Sequence, residues 1–379
     1  MLPLKGLALA RQIAENREAR PRELKKEGKN IIGYICCFAP PEIMHAAGAV
    51  PYRVTGKPGE SSSEVDSYLE PFGCPYVRNL FSRYLRGELD FLDGLVISHS
   101  CDMVQRLYGI WTYYFPFAYS RLVNVPHQLH PWSQDFYYRE LLFFKESLEK
   151  HFQIEISNEA LTASIKLYNS IRKLIRALYV MRGGSYPKLL SSELMDVLVA
   201  GGVLPPEEFL QLLEEVVAEV DARSEPVAPS GSVRLLVWGS IIDHPHFYRL
   251  IEAAGGQVVA DDTCLGERFW NEDVPLTEDP FAGLKEHYLL NFQCPRIDRG
   301  GGTQRFAYLR EMARQYGAQG VIGYVISFCD PHKFDYPDLR DYLEKEGIPM
   351  LLIDDNYSLL SSGAINTRLQ AFIEMLSGK

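Results

Sequence analysis

Six of the seven cysteines in this chain divide into two sets of three, one set in each half. Cys36, Cys74 and Cys101 lie in the first half; Cys264, Cys294 and Cys329 lie in the second; Cys37, beside Cys36, is left over. No two of the six are spaced as CxxC, which argues against a zinc ribbon or a ferredoxin-type run. They recur instead at strand ends, turns and Cys-Pro or Cys-Asp steps. If they act together, two distant halves of the chain must meet at one place. That calls for two domains closing on a shared centre.

The bulk properties agree. A chain of 379 residues is too long for one ordinary core, so two domains, or two with a helical insert, are expected. Apolar residues make up 46% and charged residues 23%, which describes a globular rather than a disordered protein. A net charge of −10 argues against a general nucleic-acid binder. No apolar run approaches the roughly 18–20 residues of a membrane span. Lys5 and Arg11 interrupt the apolar core that a signal peptide would need. A cytoplasmic protein is expected, and there thiols stay reduced, as ligands or core residues rather than disulfides.

Local patterning gives an α/β fold. Residues 6–27 carry Leu7, Ala10, Ile13 and Ala14 at helical spacing. Asn30–Phe38 reads as a buried strand, Glu42–Gly48 as a helix and Ala49–Val54 as the next strand. Gly87 to Ser100 reads as helix then strand, ending at Cys101-Asp102. This β-α-β rhythm predicts parallel sheets with helices on their faces. From about Trp132 to Val220 the pattern becomes helical, with Phe136–Phe152 and Asn158–Met181 the longest stretches. Residues 222–232 read as a linker. Strands then follow at Val233–Trp238, Gln257–Ala260, Val321–Ser327 and Met350–Ile353, with helices at Pro245–Ala254, Asp338–Glu346 and Ser361–Leu376.

The reading is thus two Rossmann-like or flavodoxin-like parallel-sheet domains with a helical segment between them. The segments are 1–28 (N-terminal helical), 29–131 (first α/β domain), 132–222 (helical), 223–232 (linker) and 233–379 (second α/β domain). The halves look like a degenerate repeat: Val96-Ile97-Ser98 runs towards Cys101-Asp102 as Val325-Ile326-Ser327 runs towards Cys329-Asp330.

In open α/β sheets, ligands bind at the carboxyl ends of strands, and Cys36, Cys101, Cys264 and Cys329 are expected there. Cys74-Pro75 and Cys294-Pro295 are expected in loops. Thiolate is the favoured ligand of iron–sulfur clusters. A four-iron cubane wants four outer ligands, so three cysteines leave one iron for substrate, solvent or a bridge. Two such sets allow two bridged cubanes, or one cluster and three bystanders. His99 and Ser100 adjoin Cys101, and His99 is a candidate proton donor. His244 and His246 suit a capping or surface role. Arg296, Arg299 and Arg305, around Gly300-Gly301-Gly302, suit either an anionic group or a solvated loop. The chain has no GxxxxGK[ST] phosphate loop, so no ATP site is expected in it.

The segment Gly33-Tyr-Ile-Cys36-Cys-Phe-Ala-Pro40-Pro-Glu42 through Gly48-Ala-Val-Pro51 resembles the opening motif of 2-hydroxyacyl-CoA dehydratase and benzoyl-CoA reductase subunits. Ser98-His-Ser-Cys101-Asp102 and Ser327-Phe-Cys329-Asp330 are similar to that family's later cysteine motifs. The resemblance spans most of residues 30–355 and selects Cys36 over Cys37. The dehydratase subunits hold one cluster on three cysteines. This chain adds Cys74, Cys264 and Cys294, which is similar to the branch called double-cubane cluster proteins.

That resemblance implies an anaerobic homodimer with an [8Fe-9S] cluster, two [4Fe-4S] units joined by a sulfide. Its ligands would be Cys36, Cys74, Cys101, Cys264, Cys294 and Cys329. It further implies reduction of small molecules with electrons from a separate ATP-hydrolysing, cluster-bearing reductase. The competing readings are a dehydratase subunit with a single [4Fe-4S] cluster and a non-enzymatic cluster carrier.

Overall fold

The computed structural model describes residues 5–358 and 362–378. Its frame is two four-stranded, all-parallel sheets of the same connectivity. The first contains β1 (Ile31–Ile35), β2 (Val50–Arg53), β3 (Gly94–His99) and β4 (Tyr119–Asn124), in the order β2-β1-β3-β4. The second contains β5 (Val233–Gly239), β6 (Gly256–Asp262), β7 (Gly320–Ile326) and β8 (Met350–Asp355), in the order β6-β5-β7-β8. The expected α/β class with two parallel sheets is therefore present. Val96-Ile97-Ser98 and Val325-Ile326 fall in corresponding strands, β3 and β7. β1, β3, β5 and β7 are apolar for most of their length and buried on both faces, as strands covered by helices must be.

In each sheet the chain reverses its direction of growth between the first and third strands. A crevice opens there, beyond the strand ends.

The helices fill in around this frame. α1 (Gly6–Glu15) and α2 (Ala19–Lys26) come first; α3 (Pro41–Ala46), α4 (Pro75–Leu85) and α5 (Asp102–Tyr114) connect the strands of the first sheet. α6 (Pro131–Phe152), α7 (Asn158–Gly183), α8 (Ser191–Gly201) and α9 (Pro206–Asp221) form the helical segment. α10 (His246–Ala253), α11 (Glu267–Trp270), α12 (Pro280–Lys285), α13 (Thr303–Gln315), α14 (Asp330–Lys345) and α15 (Ser362–Ser377) belong to the second half.

Four local expectations are corrected. The helix over residues 6–27 breaks between α1 and α2, where Arg17 turns inward. Its guanidinium donates to Thr55 Oγ1 (2.8 Å) and to the carbonyls of Gly56 (2.9 Å) and Asp243 (2.5 Å), tying the two halves together. β4 carries a mixed Tyr-Ser-Arg-Leu-Val-Asn pattern that gives no strand signal, because it is an edge strand. The helix before β3 is α4, not a segment after Gly87. α14 begins at Asp330 and runs through Pro337 rather than starting after it. Ser361, expected at the start of the last helix, and residues 1–4 lie outside the described residues.

Buried ion pairs fasten the helical segment to both halves. Arg172 of α7 meets Glu42 of α3 at 2.6 Å, and Tyr288 donates to the same carboxylate at 2.9 Å; all three are fully buried. Arg182, also on α7, meets Asp261 of β6 at 2.5 Å. Removing one partner of such a pair strands the other, at a cost of about 3–5 kcal/mol.

Candidate metal centre

The fold delivers cysteines to the crevice by two routes. The first is the start of a helix. Cys74 immediately precedes α4, Cys101 precedes α5 and Cys329 precedes α14. Each is a helix N-cap, where the first N–H groups have no intrahelical acceptor. Those groups point at the sulfurs: Tyr76 and Val77 towards Cys74, Met103 and Val104 towards Cys101, His332 towards Cys329. The loop expected at Cys74 is thus a helix start. The Pro75 that suggests rigidity is the first residue of the helix that Cys74 caps.

The second route is the loop. Cys36 follows β1 with φ 73°, a left-handed conformation that only a tight surround maintains for a non-glycine residue. Cys264 follows β6, and Cys294 lies in the loop after the π-helical turn Glu286–Asn291. Phe328, immediately before Cys329, is also left-handed at φ 61°. Non-glycine strain thus occurs at or next to cysteines in both halves.

These routes converge. Cys36, Cys74, Cys101, Cys264 and Cys329 line one cavity of about 550 Å³, counting the part open to solvent. Its other walls are mainly apolar, with Arg53 and Ser100 among the polar exceptions. Cys294 is buried outside that lining, close enough for its charge to act on Cys264 and Cys37. Among the described residues, no group of three or more His, Cys, Asp or Glu side chains is arranged around a single metal ion.

Burial pushes up the pKa of most of these thiols. It takes Cys74 to about 11 and Cys101 and Cys264 to about 12, and it raises Cys294 and Cys329 as well. Cys36 is the exception. The Cys36 and Cys37 thiols share a hydrogen bond at 3.8 Å, and with help from Arg53 and Ser100 Cys36 is lowered and Cys37 raised. Cys37 does not line the cavity, so the pair divides into a wall residue and a buried hydrogen-bond partner next to it in the sequence.

Arginines complete the electrostatics. Buried guanidinium groups normally have carboxylate partners, because an uncompensated buried charge costs several kcal/mol. Arg268 has Asp262 (2.8 Å) and Arg305 has Asp335 (2.5 Å). Every other buried arginine is likewise paired, with three exceptions among the described residues: Arg53, Arg296 and Arg299. Arg53 is 2% exposed, and its Nε and Nη1 have no hydrogen-bond partner. Arg296 reaches the carbonyls of His99 and Val125 through Nη2, leaving Nε and Nη1 unmatched. Arg299 donates only to the carbonyls of Leu289 and Phe292. All three act on the cysteines, and the solvated-loop reading of Arg296, Arg299 and Arg305 is wrong because those side chains are buried.

The histidines lie elsewhere. His99 is half-buried at the end of β3 and is not among the residues lining the cavity; its ring faces Asn124. His244 is buried with neither ring nitrogen hydrogen-bonded, and burial lowers it to about 4, so the surface role expected for it does not hold.

Known proteins repeat this chain over almost its whole length. The model of a family described as "2-hydroxyglutaryl-CoA dehydratase, D-component" matches residues 36–376. The chain belongs to that family. A benzoyl-CoA reductase subunit of Thauera aromatica is 30% identical over 339 residues, covering 85% of this chain and 84% of that one. The beta subunit of lactoyl-CoA dehydratase from Anaerotignum propionicum is 27% identical over 379 residues, 98% of each chain. The beta subunit of (R)-2-hydroxyglutaryl-CoA dehydratase from Acidaminococcus fermentans is 27% identical over 368 residues, 93% of this chain and 94% of the other. The family match begins at Cys36 and takes in all six cysteines. The chain is accordingly a subunit of the 2-hydroxyacyl-CoA dehydratase and benzoyl-CoA reductase type. No helix among the described residues is long and apolar enough to cross a membrane.

Proposed function

We propose that this chain is an iron–sulfur reductase whose cofactor is a double-cubane [8Fe-9S] cluster held by Cys36, Cys74, Cys101, Cys264, Cys294 and Cys329. The observation that carries the reading is the pairing of thiols with unmatched cations. Five thiols and Arg53 line one cavity, and Cys294, Arg296 and Arg299 are buried outside its lining; none of the three arginines has a carboxylate partner. Thiolate-ligated iron–sulfur clusters are anionic, so the residues present fit such a guest in both donor chemistry and charge. When bound, the cluster would supply low-potential electrons to a small substrate.

The protein's own groups have separate tasks. The helix N-termini at Cys74, Cys101 and Cys329 offset part of the burial that raises these thiols in the iron-free chain. The Cys37 thiol hydrogen-bonds to Cys36 and orients it. A second cavity is lined by Glu70, Phe72, Cys74, Asp102, Arg106 and Phe328 among others, and Cys74 lies on the wall of both. His99, off the wall, would reach a substrate only through Ser100, which lines the cavity and hydrogen-bonds to Cys36.

The partners follow from the same reading. We take the electron donor to be a separate, ATP-hydrolysing, cluster-bearing reductase, a reading that the lack of a GxxxxGK[ST] loop in this chain supports. We take the working form as a homodimer, in the cytoplasm. Trp132, Phe136 and Phe143 support an assembly surface, since all three are exposed on α6.

The test is Cys264→Ser. If Cys264 ligates a second cubane, this variant loses about half of the bound iron. Unchanged iron would make it a bystander. The names of the relatives favour a second reading, a 2-hydroxyacyl-CoA dehydratase subunit with one four-iron cluster. Saturable acyl-CoA binding together with about four irons per chain would establish that instead.

A further inference from the structure

Arg268 and His332 join two of the cysteines through a buried chain of hydrogen bonds. Arg268, on α11, is gripped by Asp262: Nε donates to Oδ1 at 2.9 Å and Nη2 to Oδ2 at 2.8 Å. Nη2 also donates to the carbonyls of Asp262 (2.7 Å) and Gly239 (3.3 Å). That leaves the two protons of Nη1. One points at Cys264 Sγ, 3.6 Å away, and the other at His332 Nε2, 3.4 Å away. The other ring nitrogen, His332 Nδ1, lies 3.3 Å from Cys329 Sγ. Arg268 is 1% exposed and His332 2%, so water does not compete for these contacts.

This geometry fixes the hydrogen on the ring. A guanidinium can only donate, so His332 Nε2 accepts, and the neutral imidazole then carries its hydrogen on Nδ1. Nδ1–H therefore donates to Cys329. The helix makes that contact local: Cys329 caps α14, His332 stands three residues on, and a side chain at that place reaches back to the cap. Trp238 of β5 packs against the imidazole, with ring centroids 5.2 Å apart. Asp262 thus sets Arg268, Arg268 sets the tautomer of His332, and each cysteine receives one side-chain N–H.

We propose that His332 and Arg268 are positioning residues that donate N–H···S hydrogen bonds to Cys329 and Cys264 as these ligate the cluster, and so raise its reduction potential. This rests on the reading of both cysteines as iron ligands. The reduced cluster carries more negative charge on its sulfurs than the oxidised one, so a fixed donor stabilises it more. Hydrogen bonds to the sulfurs are among the levers that set such potentials. Neither residue ligates iron, and no proton need leave either of them.

The experiment is an anaerobic redox titration of the cluster-loaded protein, followed by electron paramagnetic resonance, with iron counted on each sample. His332→Leu removes the donor and should weaken reduction about tenfold in equilibrium constant, or about 59 mV for one electron. His332→Asn places an amide N–H where Nδ1 stands and should restore most of the loss. His332→Gln, whose amide falls at the place of Nε2, should not. No shift in His332→Leu at wild-type iron content, or an equal shift in His332→Asn, would overturn the proposal. A second measurement needs no substitution and covers the case in which a variant fails to load iron. With histidine labelled by the heavy nitrogen isotope, the reduced, unaltered protein should show a histidine-nitrogen hyperfine coupling in pulsed resonance, carried through the Nδ1–H···S bond. Its absence would overturn the proposal. Absence of iron from the unaltered protein would instead contradict the cluster reading itself, so the two failures are told apart by the iron count.

Discussion

Cys74, Cys101 and Cys329 sit at helix starts, whereas Cys36, Cys264 and Cys294 sit in loops with buried arginines nearby. Both sets must stabilise thiolates where water is scarce. The first uses what an α/β fold produces anyway, since each strand–helix step at a sheet's carboxyl edge presents unpaired N–H groups. The second has no helix to draw on. It imports charge, with Arg53 from the first half and Arg296 and Arg299 from the second. Backbone stabilisation comes with the topology, whereas arginine stabilisation depends on the two halves closing correctly.

The largest effect that would sharpen this comparison is loss of metal. Cys101→Ser and Cys264→Ser should each retain about half of the iron, and the two together almost none. Full iron in either single variant would show that its cysteine is not a ligand.

Next in size is the cost of the unpaired cations. In the iron-free chain Arg53 has no carboxylate partner, only the faces of Tyr34 and Phe269 and the Cys264 carbonyl, so Arg53→Met should move the thermal midpoint by the equivalent of no more than about 1 kcal/mol. In the loaded protein the same change should lower the midpoint. A fall in both states would mean that Arg53 is an ordinary packing residue. His99→Ala should reduce turnover less than tenfold, since the ring is not on the cavity wall. A loss of about a hundredfold, the scale of general acid catalysis, would restore His99 as a proton donor.

The smallest effect concerns capping. Serine is a favoured N-cap, so Cys74→Ser in the iron-free chain should be neutral or stabilising by up to about 1 kcal/mol. Cys264→Ser has no helix to cap and should show no such gain. Equal responses in urea unfolding would indicate that the N–H groups at Cys74 contribute nothing.

Much of this arrangement is legible in the sequence. The strand before Cys36, the strands leading to Cys101 and Cys329 and the repeat between halves all follow from apolar runs broken by turn residues. The helix after Cys74 is signalled less clearly, because Pro75 suits a rigid loop as well as a first helical turn. The arginines are not legible. Arg53 ends a short strand and Arg296 lies in a loop, and nothing local distinguishes them from solvated residues. Their burial is a property of domain closure: Arg53 of the first sheet lies against Phe269 of the second half, 5.6 Å from its ring. β4 escapes notice for a related reason, since an edge strand need not carry an apolar pattern.

The most direct test is to count iron and acid-labile sulfide per chain on anaerobically purified protein. The account predicts about eight irons with slightly more sulfide, one thiolate for each of the six cysteines and none for Cys37. About four irons would return the chain to a single-cluster dehydratase subunit, and the absence of iron would leave three buried arginines without a partner and contradict the account.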